Sequence, residues 1–126
     1  MVETEKITVN MNVVDLGKVD LLVSQGFYSN RTDFIRSSIR SQLATHATDV
    51  ENIVVRKSFN VGVTRYGRKE LEELLASNEK VDVNVVGLLV IDDDVDVDLA
   101  VKTIESLQVK GVFKANLEVK KALNNL

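Results

Sequence analysis

The sequence contains no cysteine and a single histidine, His46. The absence of cysteine excludes disulfide bonds, thiolate metal sites and a cysteine nucleophile, and one histidine excludes a multi-histidine zinc site within one chain. No run approaches the length of about 18 apolar residues typical of a membrane span, and the start, MVETEKITVN, lacks the basic and apolar regions of a signal peptide. We therefore expect a cytoplasmic protein that makes no use of a membrane.

Groups for catalysis are scarce as well. No glycine-rich phosphate loop precedes a helix, and no Ser/His/Asp set can be assembled around His46. Asp94, Asp96, Asp98 and Glu105 have the spacing of calcium-loop ligands, but Leu99 stands where that loop needs glycine. These carboxylates are better placed to favour the start of a helix. The sequence thus predicts no enzyme, no metal site and no cofactor.

The chain has 126 residues, of which 44% are hydrophobic, so it can bury a core in one domain or two small ones. Its net charge of −3 gives no overall basic surface for nucleic acid, but the charge is unevenly distributed. Before His46 five basic residues balance five acidic ones, so the acidic excess lies in the later part. Small and polar residues in ATHATDVEN mark a boundary. We predict domains at 1–46 and 47–126.

The stretch KITVNMN, residues 6–12, alternates as a strand does. One predicted face is apolar and carries Ile7, Val9 and Met11. The other face is polar and carries Lys6, Thr8 and Asn10.

Two helical patterns follow this strand. The first contains Leu22 in its apolar stripe and ends at Gly26, which suits a left-handed conformation. The second starts with Asn30 as N-cap and Asp33 three residues on, and Ile35 and Ile39 lie on its apolar stripe.

One strand and two helices in about 40 residues cannot close a core, and the strand has two unpaired edges. Two copies that pair this strand antiparallel would bury its apolar face over four helices. The predicted dimer core comprises Ile7, Val9, Met11, Leu22, Ile35 and Ile39. The exposed side would be a two-stranded ribbon, a shape that fits the DNA major groove.

Residues 5–45, including GFYSNRTDFIRSSIRSQL, resemble the ribbon-helix-helix DNA-binding domain of the Arc, MetJ and CopG repressors. The resemblance implies that Lys6, Thr8 and Asn10 contact base edges. It also implies that Asn30 and Arg31, at the start of the second helix, hold a DNA phosphate. Many relatives carry arginine in the strand where this chain has a single lysine with threonine and asparagine, which leaves the base preference open.

The remainder alternates between strand and helix. We predict a strand in NIVVRKSFNVGV, a helix in GRKELEELLA with Leu71, Leu74 and Leu75 inward, and a strand in VDVNVVGLLVI. A helix with Val97, Val101 and Ile104, a strand in LQVKGVF and a helix with Val119, Leu123 and Leu126 complete the order βαβαβα. This order favours an α/β domain with a parallel sheet.

Glycines recur within these strands. Gly87 and Gly111 are 24 residues apart and Gly62 is 25 residues before Gly87, a spacing typical of strand-plus-helix repeats. The pattern indicates a leucine-rich-repeat-like stack as one reading of an oligomerisation or sensing domain, through which dimers could become tetramers or larger assemblies.

The leading hypothesis is a homodimeric regulator, a repressor, that binds double-stranded DNA. Two alternatives stay open. An antitoxin that also binds its own promoter would end in a segment that folds on its toxin, and a protein–protein scaffold would use the βα domain without DNA.

Overall fold

The computed structural model describes residues 3–125. The chain divides into two compact units, Met1–Glu51 and Asn52–Leu126. We call them unit 1 and unit 2. The described residues form six helices and three strands. No helix among them is long and apolar enough to cross a lipid bilayer.

Unit 1 begins with residues 3–12, which have no regular secondary structure in the single chain. Helix α1, Val13–Ser24, and helix α2, Arg31–Thr45, follow. A β-strand is defined by backbone hydrogen bonds to a neighbouring strand. Within the described part of one chain, residues 6–12 have no neighbouring strand. Pairing with a second chain therefore stays a prediction.

The structure contradicts one prediction from the sequence at helix α3, Ala47–Arg56. Residues 52–56 were expected to begin a strand because they are rich in β-branched side chains, but they complete this helix. Val50, Ile53 and Val54 recur at three- and four-residue steps, which is a helical period, and this period prevails over local β-propensity. The strand starts later, at Asn60.

Unit 2 contains strand β1, Asn60–Tyr66, helix α4, Arg68–Ala76, strand β2, Val81–Ile91, helix α5, Val97–Thr103, strand β3, Ile104–Lys114, and helix α6, Leu117–Leu123. The strands form one parallel sheet in the order β1-β2-β3. The predicted βαβαβα order and parallel sheet are confirmed.

The core of unit 2 lies between one face of the sheet and its helices. Val83, Val85, Leu89 and Ile91 point from β2 into it, and each helix adds fully or nearly fully buried side chains. Those from the helices are Leu71 of α4, Leu99 and Ala100 of α5, and Val119 and Leu123 of α6. Burying this many aliphatic side chains, at about 1.5–3 kcal/mol each, gives unit 2 a core of its own.

Three glycines stand side by side across the sheet, since Gly62 pairs with Gly87 and Gly87 with Gly111. Each has a positive φ, between 120° and 133°, which disfavours any residue with a Cβ. A Cβ on Gly87 would collide with the carbonyl oxygen of Gly62, and one on Gly111 with that of Gly87. The repeat spacing in the sequence thus corresponds to a real register of close backbone contacts.

Several expected inward residues lie elsewhere. Val97 and Val101 of α5 are exposed, and Ile104 is buried but belongs to β3, because α5 ends at Thr103. Leu75 of α4 is also exposed, whereas Leu71 is buried. The short α5 instead buries Leu99, Ala100 and Thr103, so the predicted apolar stripe lies on the wrong side of this helix. Leu126 lies outside the described residues.

Candidate nucleic-acid interface

The candidate interface starts with the segment that precedes α1. Lys6, Thr8 and Asn10 are all exposed. The apolar residues between them are exposed too, with 74% of the surface of Ile7 and of Val9 accessible and 40% of that of Met11. Both faces of the segment are therefore open in the single chain, although one of them is apolar.

Asn12 fixes where this segment ends. Its side-chain Oδ1 accepts hydrogen bonds from the backbone N–H groups of Val14, at 2.8 Å, and Asp15, at 3.3 Å. These bonds satisfy donors that the first turn of α1 leaves without a helical partner. The polar segment thus leads directly into a capped helix.

The turn between α1 and α2 is set by backbone hydrogen bonds around Gly26. The N–H of Phe27 donates to the carbonyl of Leu22 and that of Gly26 to the carbonyl of Val23, which is the Schellman arrangement of a helix end. Gly26 has a φ of 85°, so its predicted left-handed conformation is confirmed. Tyr28 and Phe34 then meet edge to face, with ring centroids 5.0 Å apart. These contacts hold the start of α2 close to the end of α1.

The start of α2 is capped by two side-chain hydrogen bonds. Asn30 Oδ1 accepts from the N–H of Asp33 at 2.7 Å, and Asp33 Oδ2 accepts from the N–H of Ser29 at 2.9 Å. The predicted cap is confirmed. The first two amides of the helix, those of Arg31 and Thr32, have no carbonyl partner in helix geometry and lie at the positive end of the helix dipole. Such a group of donors is suited to an anion.

Arg31 has a second partner that sequence reasoning missed. Its Nε and Nη2 donate to the two carboxylate oxygens of Asp20 on α1, each at 2.8 Å. This fork-shaped hydrogen bond lowers the pKa of Asp20 and raises that of Arg31, an effect that the charge of each partner reinforces. The two residues are 11 apart across a turn, so no helical period in the sequence signals the pair.

Two of the five N–H donors of Arg31 are used in this ion pair, so the guanidinium retains capacity for a further acceptor. Among the described residues, no hydrogen bond or ion pair joins Lys6, Thr8 or Asn10 to Asn30 or Arg31. Within one chain the predicted base contacts and phosphate contacts therefore form two separate groups.

The predicted dimer core is largely exposed. Ile35 and Ile39 of α2 have 42% and 48% of their surface accessible, and Leu22 is half-buried. Within the described part of unit 1, only Val19 is buried, with 5% accessible. A folded unit of this size rarely exposes so many large aliphatic side chains.

The acidic run after β2 binds neighbouring groups of the protein. Asp96 caps α5, with Oδ1 accepting from the N–H of Leu99 at 2.8 Å, and Asp94 accepts from the N–H of Arg68. Asp98 pairs with Lys102, and Glu105 with Lys80. Among residues 3–125 no cluster of three or more acidic or histidine side chains is arranged to hold a metal ion.

The chain matches one known protein family. The model of the ribbon-helix-helix transcriptional regulator family matches residues 2–120. The chain belongs to this family. The match extends through unit 2, so this ribbon-helix-helix regulator is related to the family over nearly its whole length and not only in its first 45 residues. No curated protein and no solved structure matches the regulator.

Membership makes the regulator one of a family of DNA-binding transcriptional regulators. The family match does not test individual contacts, so Lys6, Thr8 and Asn10 for bases and Asn30 and Arg31 for phosphate stay predictions from the sequence.

Proposed function

We propose that the chain is a homodimeric, sequence-specific DNA-binding repressor. Two copies pair residues 6–12 as an antiparallel ribbon, and the ribbon enters the major groove. The observation that carries the proposal is the lack of a core in unit 1, where large aliphatic side chains are exposed on residues 7–11 and along α2 while Val19 is buried. A second copy of the same unit supplies apolar surface that matches it.

The polar face of the ribbon has the chemistry for reading bases. Lys6 donates to the O6 or N7 of guanine, and Asn10 makes two hydrogen bonds to adenine. Thr8 offers a hydroxyl for either donor or acceptor and a methyl group for contact with thymine. Because the dimer repeats this set about a two-fold axis, its binding site on DNA is pseudo-palindromic.

The start of α2 positions the protein on the DNA backbone. The amides of Arg31 and Thr32, together with the Arg31 guanidinium, face a phosphate without sequence preference. Asp20 orients that guanidinium through the two 2.8 Å hydrogen bonds. Arg31 thus links α1 to α2 and also contributes a positive charge to phosphate binding.

Unit 2 weighs against the antitoxin alternative. A segment that folds on a toxin has little apolar core by itself, whereas unit 2 buries Leu71, Val85 and Leu89 completely. Limited proteolysis of the free protein checks this point, since we expect residues 52–126 to survive as one fragment. Rapid loss of everything after residue 50 would favour an antitoxin.

The test of the proposal is a fluorescence-anisotropy titration of the DNA upstream of the protein's own gene, with random duplex as competitor and at two salt concentrations. The variant is Thr8→Ala/Asn10→Ala. The control is Thr48→Ala/Asn52→Ala, which makes the same two changes at exposed positions of α3. We expect the ribbon variant to lose about 1–3 kcal/mol of discrimination per lost base contact and to keep salt-dependent nonspecific binding.

The control should bind like the wild type. Equal binding by the ribbon variant and the wild type would show that the ribbon does not read bases. If the wild type prefers neither this DNA nor any sequence recovered by selection from random duplexes, the proposed function is wrong.

A further inference from the structure

The sheet of unit 2 ends in two open edges. Its strand order is β1-β2-β3, so within the described part of the chain no strand pairs with the outer edge of β1 or of β3. Each edge leaves backbone N–H and C=O groups without a strand partner. The two edges are different, and they are the two sides of one pairing direction, since each strand is parallel to the next.

Three paired glycines, Gly62, Gly87 and Gly111, which we call the glycine column, show how neighbouring strands approach each other. A Cβ on Gly87 would collide with the carbonyl oxygen of Gly62, and one on Gly111 with that of Gly87. Each carbonyl of the column therefore points toward the following strand and occupies the place of a Cβ there. Gly62 has the same kind of backbone, with a φ of 127°, but a Cβ on it meets nothing within 4 Å.

We propose that the β1 edge of one copy docks on the β3 edge of another copy, with the strands parallel and Gly62 beside Gly111 of the second copy. The carbonyl of Gly111, which faces the open edge of β3, then fills the space against Gly62 that its own chain leaves empty. The glycine column continues from copy to copy at the strand spacing of about 4.8 Å. This steric match identifies the occupant of the open edge as the same chain.

The helices beside the two edges carry opposite charges. α5 lies between α4 and α6, so continuation of the sheet sets α4 of one copy beside α6 of the other. Arg68 of α4 is turned toward α5, because it donates to Asp94 in the turn before that helix. Helical spacing then places Glu70 and Glu73 toward the free side of α4. On the free side of α6 lies Lys120, which meets these carboxylates across the contact.

A groove between α6 and the open edge of β3 receives the docked copy. Leu107, Val109 and Phe113 line this groove and are half-buried. The ring of Phe113 lies beneath Lys120, with Nζ 5.7 Å from the ring centroid. Stacked strand-plus-helix repeats bury such side chains under the next repeat. In the proposed contact, β1 and α4 of the second copy act as that next repeat.

The contact is small and therefore weak. The seven residues of β1, at about 3.3 Å each over a depth of roughly 15 Å for strand and helix, give about 350 Å² from each copy. Both copies together bury less than the ~1,200 Å² of a stable interface. The register also sets Lys114 beside Arg65 of the second copy, although Arg65 is already paired with Asp92 at 2.7 Å and its side chain is 64% exposed. We expect an association that grows with protein concentration.

Two single-cysteine proteins test the register, since the natural chain has no cysteine. Val63→Cys lies on the β1 edge and Val112→Cys on the β3 edge, and the proposed register makes these positions neighbours. In a mixture of the two full-length proteins, a short bis-maleimide should join 63 to 112 about tenfold faster than 63 to 63 or 112 to 112. This preference distinguishes a head-to-tail contact from a two-fold symmetric one.

Gly62→Ala tests the steric match. In the Val63→Cys protein it should reduce the mixed reaction to the rate of the like pairs, because the added methyl group meets the carbonyl of Gly111 in the second copy. Circular dichroism checks that the sheet is retained, as expected from the open space around this position within one chain.

Charge reversal tests the helices without touching the sheet. Glu73→Lys in the Val63→Cys protein should slow the mixed reaction about tenfold, and Lys120→Glu in the Val112→Cys protein should restore it. Asp93→Lys, the same change of charge at an exposed residue before α5 and away from both edges, is the control and should have no effect.

Equal rates for mixed and like pairs, an unchanged preference in the folded Gly62→Ala protein, or no restoration by Lys120→Glu would each overturn the inference. All rates are measured without DNA, so a failure of the proposed function leaves this result standing, and the reverse also holds.

Discussion

At the scale of single residues, two paired glycines of the sheet, Gly62 and Gly87, resist substitution for different reasons. Gly62 and Gly87 share a positive φ, but a Cβ on Gly62 meets nothing within 4 Å, whereas one on Gly87 collides with the backbone of β1. Gly62→Ala should therefore cost about 1–2 kcal/mol from backbone strain. Gly87→Ala should cost about 1–3 kcal/mol more, because strands must separate to admit the methyl group.

Urea unfolding of the two alanine variants, followed by circular dichroism, measures this difference. The pair is matched, since both changes add one methyl group to a strand glycine. Equal losses of stability would mean that close approach between the strands is not the reason for glycine at position 87.

The Asp20–Arg31 ion pair gives a pH dependence of stability. The hydrogen bond from Arg31 lowers the pKa of Asp20 in the folded protein below its ordinary value of 3.8. A carboxylate with a lowered folded pKa stabilises the fold above its unfolded pKa and loses that contribution as pH falls through the folded one. Asp20→Asn should thus be less stable than the wild type at neutral pH, and the difference should disappear as the pH falls through the lowered pKa of Asp20. Chemical unfolding at several pH values measures it, and a difference that is constant with pH would contradict this account.

At the scale of helices and strands, the start of α2 combines a structural role with the proposed phosphate contact, and substitutions at Asn30 separate them. Asn30→Ser keeps a cap acceptor for the N–H of Asp33, whereas Asn30→Ala removes it and should cost about 1 kcal/mol of stability. Asn30→Asp keeps the cap but adds a negative charge beside the phosphate.

We therefore expect Asn30→Asp to fold normally and to bind all DNA sequences more weakly, with Asn30→Ser close to the wild type. Thermal unfolding and anisotropy on specific and random duplexes measure the two effects. If Asn30→Asp binds DNA as tightly as Asn30→Ser, the start of α2 does not hold a phosphate.

Local signals in the sequence predict much of the structure at the scale of helices and strands. Gly26, Asn30 and Asp33 predicted the end of one helix and the start of the next because capping is a short-range interaction. The spacing of Gly87 and Gly111 anticipated the sheet register because a repeat places equivalent residues side by side.

The errors have equally local causes. Residues 52–56 were misassigned because β-branched side chains also occupy helices, and α5 is too short for its apolar stripe to be read reliably. The ion pair between Asp20 and Arg31 depends on how two helices meet, which no local pattern encodes.

At the scale of the whole molecule, the two units differ in how they obtain a core. Unit 2 buries its own, whereas unit 1 exposes the side chains that the proposed dimer covers. Unfolding of unit 1 should therefore depend on protein concentration. The midpoint for α1 and α2 should rise with concentration, because dissociation accompanies unfolding.

Ile39→Lys should produce a monomer in which unit 1 is unfolded and unit 2 retains its structure. Leu117→Lys, a change at an exposed aliphatic residue of unit 2, is the control and should remain dimeric. Sedimentation and circular dichroism over a range of concentrations measure both variants. A wild type whose melting is independent of concentration would contradict a dimer formed through unit 1.

The proposed function requires two chains to pair through residues 6–12 and so form the surface that reads DNA. The most direct measurement is an isotope-filtered nuclear Overhauser experiment on a dimer assembled from labelled and unlabelled chains. An antiparallel ribbon centred on the apolar face predicts interchain contacts from Val9 to Val9 and from Ile7 to Met11. The absence of interchain contacts within residues 6–12 of a dimeric protein would contradict the account.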